Sequence, residues 1–175
     1  TLPELQIGLA YHRNQSIMIL EIGQGANFGV ILDDGAPGNC QFDNIDHHIL
    51  FVFVSDTYVQ ITLHNLIGEE ITANQTATRH GQHQPMFAER YPFNIQENFL
   101  DQITVVITVI NANSTNTNDQ KFGWIAWVEL NFDRLVKEFF ILGHDASGKA
   151  QVEHWDAMLS AHDETITRWH TLLEK

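Results

Sequence analysis

Residues Ile103–Ile110, ITVVITVI, decide the fold class. Every one of them is β-branched, and such side chains are stiff at χ1 and suit an extended backbone. The run is too short for an ordinary helix and is followed by a turn-forming stretch, so it reads as a strand. The same period of two recurs on both sides of it. Leu5, Ile7, Leu9 and Tyr11 alternate with polar or small residues, and Ser16–Ile22 is a second strand dense in Ile, Met and Leu. Tyr58–Leu63 places Val59, Ile61 and Leu63 on one side. Glu70–Ala77 is a weaker, polar strand, and Pro92 within Glu89–Ile95 marks an edge or a bulge. Lys121–Val128 and Ile166–Leu172 complete the set. Eight strands joined by Asn-, Gly- and Pro-containing connections predict an all-β, antiparallel sandwich.

Two stretches interrupt this plan in what reads as a single domain over residues 1–175. The segment 23–55 is too long for an ordinary connection and ends in the apolar run HHILFVFV. The segment 129–143 also reads as inserted. Within it Phe132, Leu135, Val136, Phe139 and Phe140 recur at helical spacing, which predicts a short amphipathic helix. That stripe either packs on the sandwich or forms an exposed apolar patch for a partner. A second helix is expected at Lys149–Ser160, with Val152, Trp155, Met158 and Leu159 on one face and Ser147 as its cap.

Composition narrows the function classes. The net charge of −13 argues against nucleic acid and against simple attraction to anionic lipid. A single cysteine, Cys40, excludes an internal disulfide framework. Asn14, Asn74 and Asn113 each open an N-x-S/T triplet, the pattern of a secreted glycoprotein, although such triplets arise readily in an Asn- and Thr-rich chain. No phosphate loop, nucleophile elbow or H-E-x-x-H is present, so no catalytic residues are assigned and no enzyme is expected.

Near the C-terminus, EHWDAML (Glu153–Leu159) is followed by RWHTL (Arg168–Leu172). A helix carrying HWxxML and then a strand carrying WHxL resembles the second C2 domain of synaptotagmins. SDTYVQITL (Ser55–Leu63) is similar to the family's SDPYVK segment, with Thr57 where proline is usual. Gln84-Pro85 to Phe93 is similar to its NP…F.F segment, and ITVVITVI to the strand before its third calcium loop. DTYV, TRHGQHQP (Thr78–Pro85) and FGWI (Phe122–Ile125) resemble the divergent, calcium-independent synaptotagmin 14/16 branch. The resemblance implies an eight-stranded C2 β-sandwich with one or two short helices near the C-terminus. It also implies a module on the cytoplasmic face of membranes, in trafficking or exocytosis.

In calcium-binding relatives five aspartates in two loops hold the ions. Carried over, these positions fall on Leu50, Asp56, Asn111, Asn113 and Asp119, so two carboxylates remain. An amide still offers an oxygen to calcium but loses a full charge. One unit-charge interaction at ~4 Å and an effective dielectric near 20 is worth about 4 kcal/mol before desolvation. The stretch VINANSTNTND (Val109–Asp119) therefore reads as a vestigial calcium loop, and no calcium cofactor is expected. Asp33, Asp34, Asp43 and Asp46 in the long first segment are the substitutes that would overturn this. The lysine-rich fourth strand that serves lipid binding in the family is matched here by Thr72–Gln75, without lysine.

The partners implied are trafficking proteins or a second copy of the chain, through Phe139 and Phe140 and through His170. In the WHTL motif Trp169 is expected inward and His170 exposed or hydrogen-bonded. The competing reading is calcium-independent lipid binding through the top-loop residues Leu50, Phe51 and Phe53. His80 and His83, with His47 and His48, would make a transition-metal site if folded beside Asp56 and Asp119; a polar loop explains them as well.

Overall fold

The structure, a computed structural model, describes residues 2–28, 30–32, 51–53, 56–111 and 137–174. In chain order the first strands are β1 (Glu4–His12), β2 (Ile17–Ala26), β3 (Val30–Leu32), β4 (Phe51–Phe53), β5 (Thr57–His64) and β6 (Glu70–Gln75). There follow β7 (Met86–Asn94), a 3-10 helix (Glu97–Gln102), β8 (Thr104–Asn111) and β9 (Lys137–Gly143). The chain then forms helix α1 (Lys149–Ser160), β10 (Ile166–Thr171) and the two-residue β11 (Leu173–Glu174).

Eight of these strands make the sandwich. One sheet has the order β10-β1-β2-β7 and the other β9-β8-β5-β6, all antiparallel, with β11 added beside β9. The short pair β3–β4 stands as its own hairpin. Period-two sequence becomes a two-faced sheet most clearly in β5, whose residues alternate between buried and half-buried along its whole length. Val59, Ile61 and Leu63 of β5 and Val105, Ile107 and Val109 of β8 face Leu5, Ile7 and Leu9 of β1 across the core. Each such side chain contributes roughly 1.5–3 kcal/mol by leaving water. Pro92 lies on β7, the last strand of its sheet, where a missing N–H is tolerated.

The segment expected to be an inserted helix is corrected over its C-terminal part. Lys137–Gly143 is a strand paired with β8 along its whole length, Ile107 opposite Phe140 and Val105 opposite Leu142. Phe140 and Leu142 are fully buried. Helical spacing between Phe132 and Phe140 competed with alternation from Phe140 onward. The open edge of β8 decides it, because a strand there pairs β8's exposed backbone groups as well as burying the phenyl ring. The expected strand Lys121–Val128 lies outside the described residues.

Helix α1 has the bounds expected of it, but not the expected cap. Its N-cap is Gly148, with no side-chain cap bond, while the Ser147 hydroxyl accepts the Ile141 N–H at 2.6 Å. Its inner face carries Gln151, His154, Trp155 and Met158, and Val152 is exposed. Gly143 closes β9 in a left-handed conformation (φ 80°), and a Cβ there would stand 2.6 Å from the Ile103 carbonyl oxygen, so only glycine fits. Arg13, in the β1–β2 turn, binds Glu97 at 3.0 Å and the carbonyls of Leu159 and Ala161. That one guanidinium ties the helix C-terminus to the 3-10 helix.

Candidate functional site

The loop end of the sandwich is built around Asp56. Directly after it, Thr57 pairs with Asn111 of β8 and with Arg79, whose N–H and carbonyl bond reciprocally to those of Thr57 at 2.8 and 3.0 Å. This fixes Arg79-His80-Gly81 across from Asp56. One carboxylate oxygen of Asp56 accepts the Gly81 N–H at 2.8 Å, and the other lies 3.1 Å from His80 Nδ1. Gly81 reaches that position with φ 59° and open space around it. The Asp56–His80 pair is exposed on its His80 side, where an ion pair contributes at most about 1 kcal/mol. Its chemical consequence is larger than its energy: both oxygens of the aspartate already have donors within the protein.

Among the residues carried over as vestigial calcium positions, Asp56 and the backbone of Asn111 are brought to the same end by the β5–β8 register. Leu50, Asn113 and Asp119 lie outside the described residues. Phe51 and Phe53 lie in the β3–β4 hairpin, opposite Leu32 and Val30. The two histidines of HGQH part company. His80 turns to Asp56, whereas His83 places Nδ1 3.1 Å from the Phe28 carbonyl and its own carbonyl accepts the Phe28 N–H. Among the described residues no three His, Cys, Asp or Glu side chains are grouped to hold a metal.

The proposed partner surface needs correction at two of its residues. Phe140 is fully buried and stacks on His170, ring centroids 4.6 Å apart at 11°, while Phe139 is half-buried beside it on β9. His170 is 1% exposed and Trp169 42%: Trp169 faces outward rather than inward as expected, while His170 meets the hydrogen-bonded half of its expectation and not the exposed one. The β1–β10 register sets it: His170 lies opposite the buried Leu5, and Trp169 opposite Gln6. Burial of an imidazole is tolerated because its nitrogens are satisfied. His170 Nε2 is 2.6 Å from His154 Nδ1, and His170 Nδ1 is 3.1 Å from the Gln151 side-chain nitrogen.

The protons in this chain follow from its far end. His154 Nε2 lies 2.7 Å from the Ile166 carbonyl, which can only accept, so Nε2 carries the proton and Nδ1 accepts. His170 must then donate from Nε2 and accept at Nδ1 from the Gln151 amide. The network is complete with both rings neutral. Burial, the neighbouring His154 and the charge of Arg168 push His170 down to about 4, and burial above all lowers His154. The pair was missed in the sequence although both members stand in quoted motifs. Gln151, His154, Trp155 and Met158 share one helical face, and that spacing was the available signal.

Comparison with known proteins bears on this geometry. The chain matches the C2 domain family over residues 42–163. It is 28% identical to Synaptotagmin-10 of Rattus norvegicus and of Homo sapiens over 120 residues. That match takes in 69% of this chain but 20% of each relative, so the chain spans about a fifth of their length. In structure it resembles a C2 domain of RIM2 with a TM-score of 0.55, at 13% identity, over 98% of this chain and 97% of that one. The third C2 domain of KIAA1228 protein gives 0.56 at 13% identity, covering 98% and 88%. The first C2 domain of human synaptotagmin XIII gives 0.51 at 17%, covering 98% and 87%. The two-sheet topology and the family match over most of the sequence lead to one conclusion: the chain belongs to the C2 domain family.

Proposed function

We propose that this C2 domain acts without calcium, as a protein-binding module of a synaptotagmin-like membrane-trafficking protein. The observation that carries the reading is the state of Asp56. Its two oxygens are held by the Gly81 N–H and by His80, and the carried-over positions 111 and 113 are amides. A hard cation arriving here would have to displace an existing partner and would find little charge to replace its water. The pair EHWDAML (Glu153–Leu159) and RWHTL (Arg168–Leu172) supports placement as a second C2 domain, and DTYV, TRHGQHQP and FGWI support the synaptotagmin 14/16 branch. Such a module works on the cytoplasmic face of a membrane, binding trafficking proteins or a second copy. With Phe140 and His170 inside the core, the exposed apolar residue of the WHTL motif is Trp169.

The experiment is co-sedimentation with liposomes containing phosphatidylserine and a phosphoinositide, with calcium and with chelator, alongside calorimetric titration of calcium. We expect the protein to stay in the supernatant in both conditions, with no calcium heat in the micromolar range. Pelleting only with calcium would overturn the reading. Pelleting in both would move the function to lipid binding through Leu50, Phe51 and Phe53.

A further inference from the structure

At the end of the sandwich remote from Asp56, β6 and β7 are the last strands of their sheets, and the two edges do not meet. Between them opens a cleft of about 790 Å³, bounded by the β5–β6 turn on one side and by the end of β7 and the 3-10 helix on the other. Its floor includes Phe93 and Ile103, which belong to the core. Its rim exposes Leu66 (53%), Ile67 (79%), Ile71 (58%) and Phe99 (46%). Scattered apolar residues on a surface need no explanation, but four converging on one cleft with an apolar floor mark an interaction site.

The charge around it indicates the occupant. Residues 63–72 and 92–103 contain four carboxylates, Glu69, Glu70, Glu97 and Asp101, all exposed, and no lysine or arginine. Of these four carboxylates, Glu97 is the one that Arg13 engages from the β1–β2 turn. A second copy would bring four more carboxylates against these, on a chain of net charge −13. An anionic membrane is repelled on the same ground. The chain leaves the described structure at Asn111 and re-enters at Lys137, both at the opposite ends of β8 and β9 from Ile103 and Gly143.

We infer that this cleft docks a partner-protein segment in which apolar side chains alternate with lysine or arginine, apolar residues entering between Ile67 and Phe99 and cations meeting the exposed carboxylates carried by the segments that bound it. The inference deepens the protein-binding reading above by naming a partner class, and it is tested without calcium or anionic lipid. It therefore stands or falls separately from the fate of Asp56.

The test titrates the 15N-labelled chain with a synthetic peptide of Leu-Lys repeats, following amide shifts, with affinity from fluorescence anisotropy. We expect shifts concentrated in residues 65–72 and 96–103, and no binding of the same peptide with glutamine in place of lysine. Ile67→Ser with Phe99→Ser should weaken binding about tenfold or more, the equivalent of ~1.4 kcal/mol of lost apolar contact. Glu69→Gln, Glu70→Gln and Asp101→Asn together should weaken it about tenfold at low salt and less at high salt. Shifts spread evenly over the acidic surface would overturn the proposal. So would full binding by the serine pair, uptake onto phosphatidylcholine vesicles that this pair abolishes, or a dimer that it dissociates.

Discussion

The two lateral openings of the sandwich are finished differently. On one side, between β10 and β9, helix α1 lies over the gap and β11 carries the last strand across from one sheet to the other. Trp155, Met158 and the His154–His170 pair fill the space beneath it, and Phe140 is buried against them. On the other side, between β6 and β7, no α-helix among the described residues lies over the gap: the β6–β7 connection crosses it at the Asp56 end, where the Ala77 N–H bonds Glu89, and at the other end the core residues Phe93 and Ile103 lie at the floor of a cleft. Both sides have apolar walls of similar make. What separates them is a covering element, so the closed side should carry stability and the open side binding.

The largest effect that would break this contrast is at Phe140. Phe140→Ala leaves a cavity beneath His170 and should cost about 3–5 kcal/mol in urea denaturation. A loss below about 1 kcal/mol would mean that the helix side closes over the gap without its aromatic stack.

How much of this contrast was legible in the sequence varies along the chain. Strands β1, β2, β5 and β8 could be read because the side chains of each that enter the core recur at every second residue. The bounds of α1 could be read because its buried residues keep helical spacing. Strand β9 was hidden because Phe132, Leu135, Val136, Phe139 and Phe140 satisfy a helical period as well, and only pairing with β8 breaks the tie. The outward Trp169 and buried His170 were hidden for a different reason. Hydrophobicity favours Trp inward, and the partners that satisfy a buried His170, Gln151 and His154, come from another element. The donors on Asp56 depend on how residues 79–81 fold back, which no local pattern records. The edge position of β7 was legible from Pro92, but that the cleft beside it stays open was not.

The next effect in size is a pH dependence confined to the closed side. His170 is held at about 4 by burial, by His154 and by Arg168, against an ordinary value of 6.5. Its folded value is depressed, so the unfolded chain binds the extra proton, and stability falls as pH drops from 6.5 toward 4. Between pH 7.5 and 4.5 this one group should remove roughly 2–3 kcal/mol. Because carboxylates titrate in the same range, the measurement is the difference in slope between the parent chain and His170→Asn, which cannot take the proton. Equal slopes would show that the His154–Gln151 network absorbs the charge by reorienting.

The smallest effect sharpens the comparison from the open side. Ile67 and Phe99 stand well out of the core, and surface changes of this kind normally stay within about 0.5 kcal/mol. The urea midpoint of the Ile67→Ser, Phe99→Ser protein should therefore match that of the parent chain, although the same pair is expected to weaken the lysine-containing peptide. A large stability loss would mean that the cleft is held together by its own rim, like the helix side, and that the two openings are not finished differently. An unchanged midpoint together with lost binding would separate the two roles cleanly: the walls are common to both sides, and the missing cover leaves one of them available to a partner.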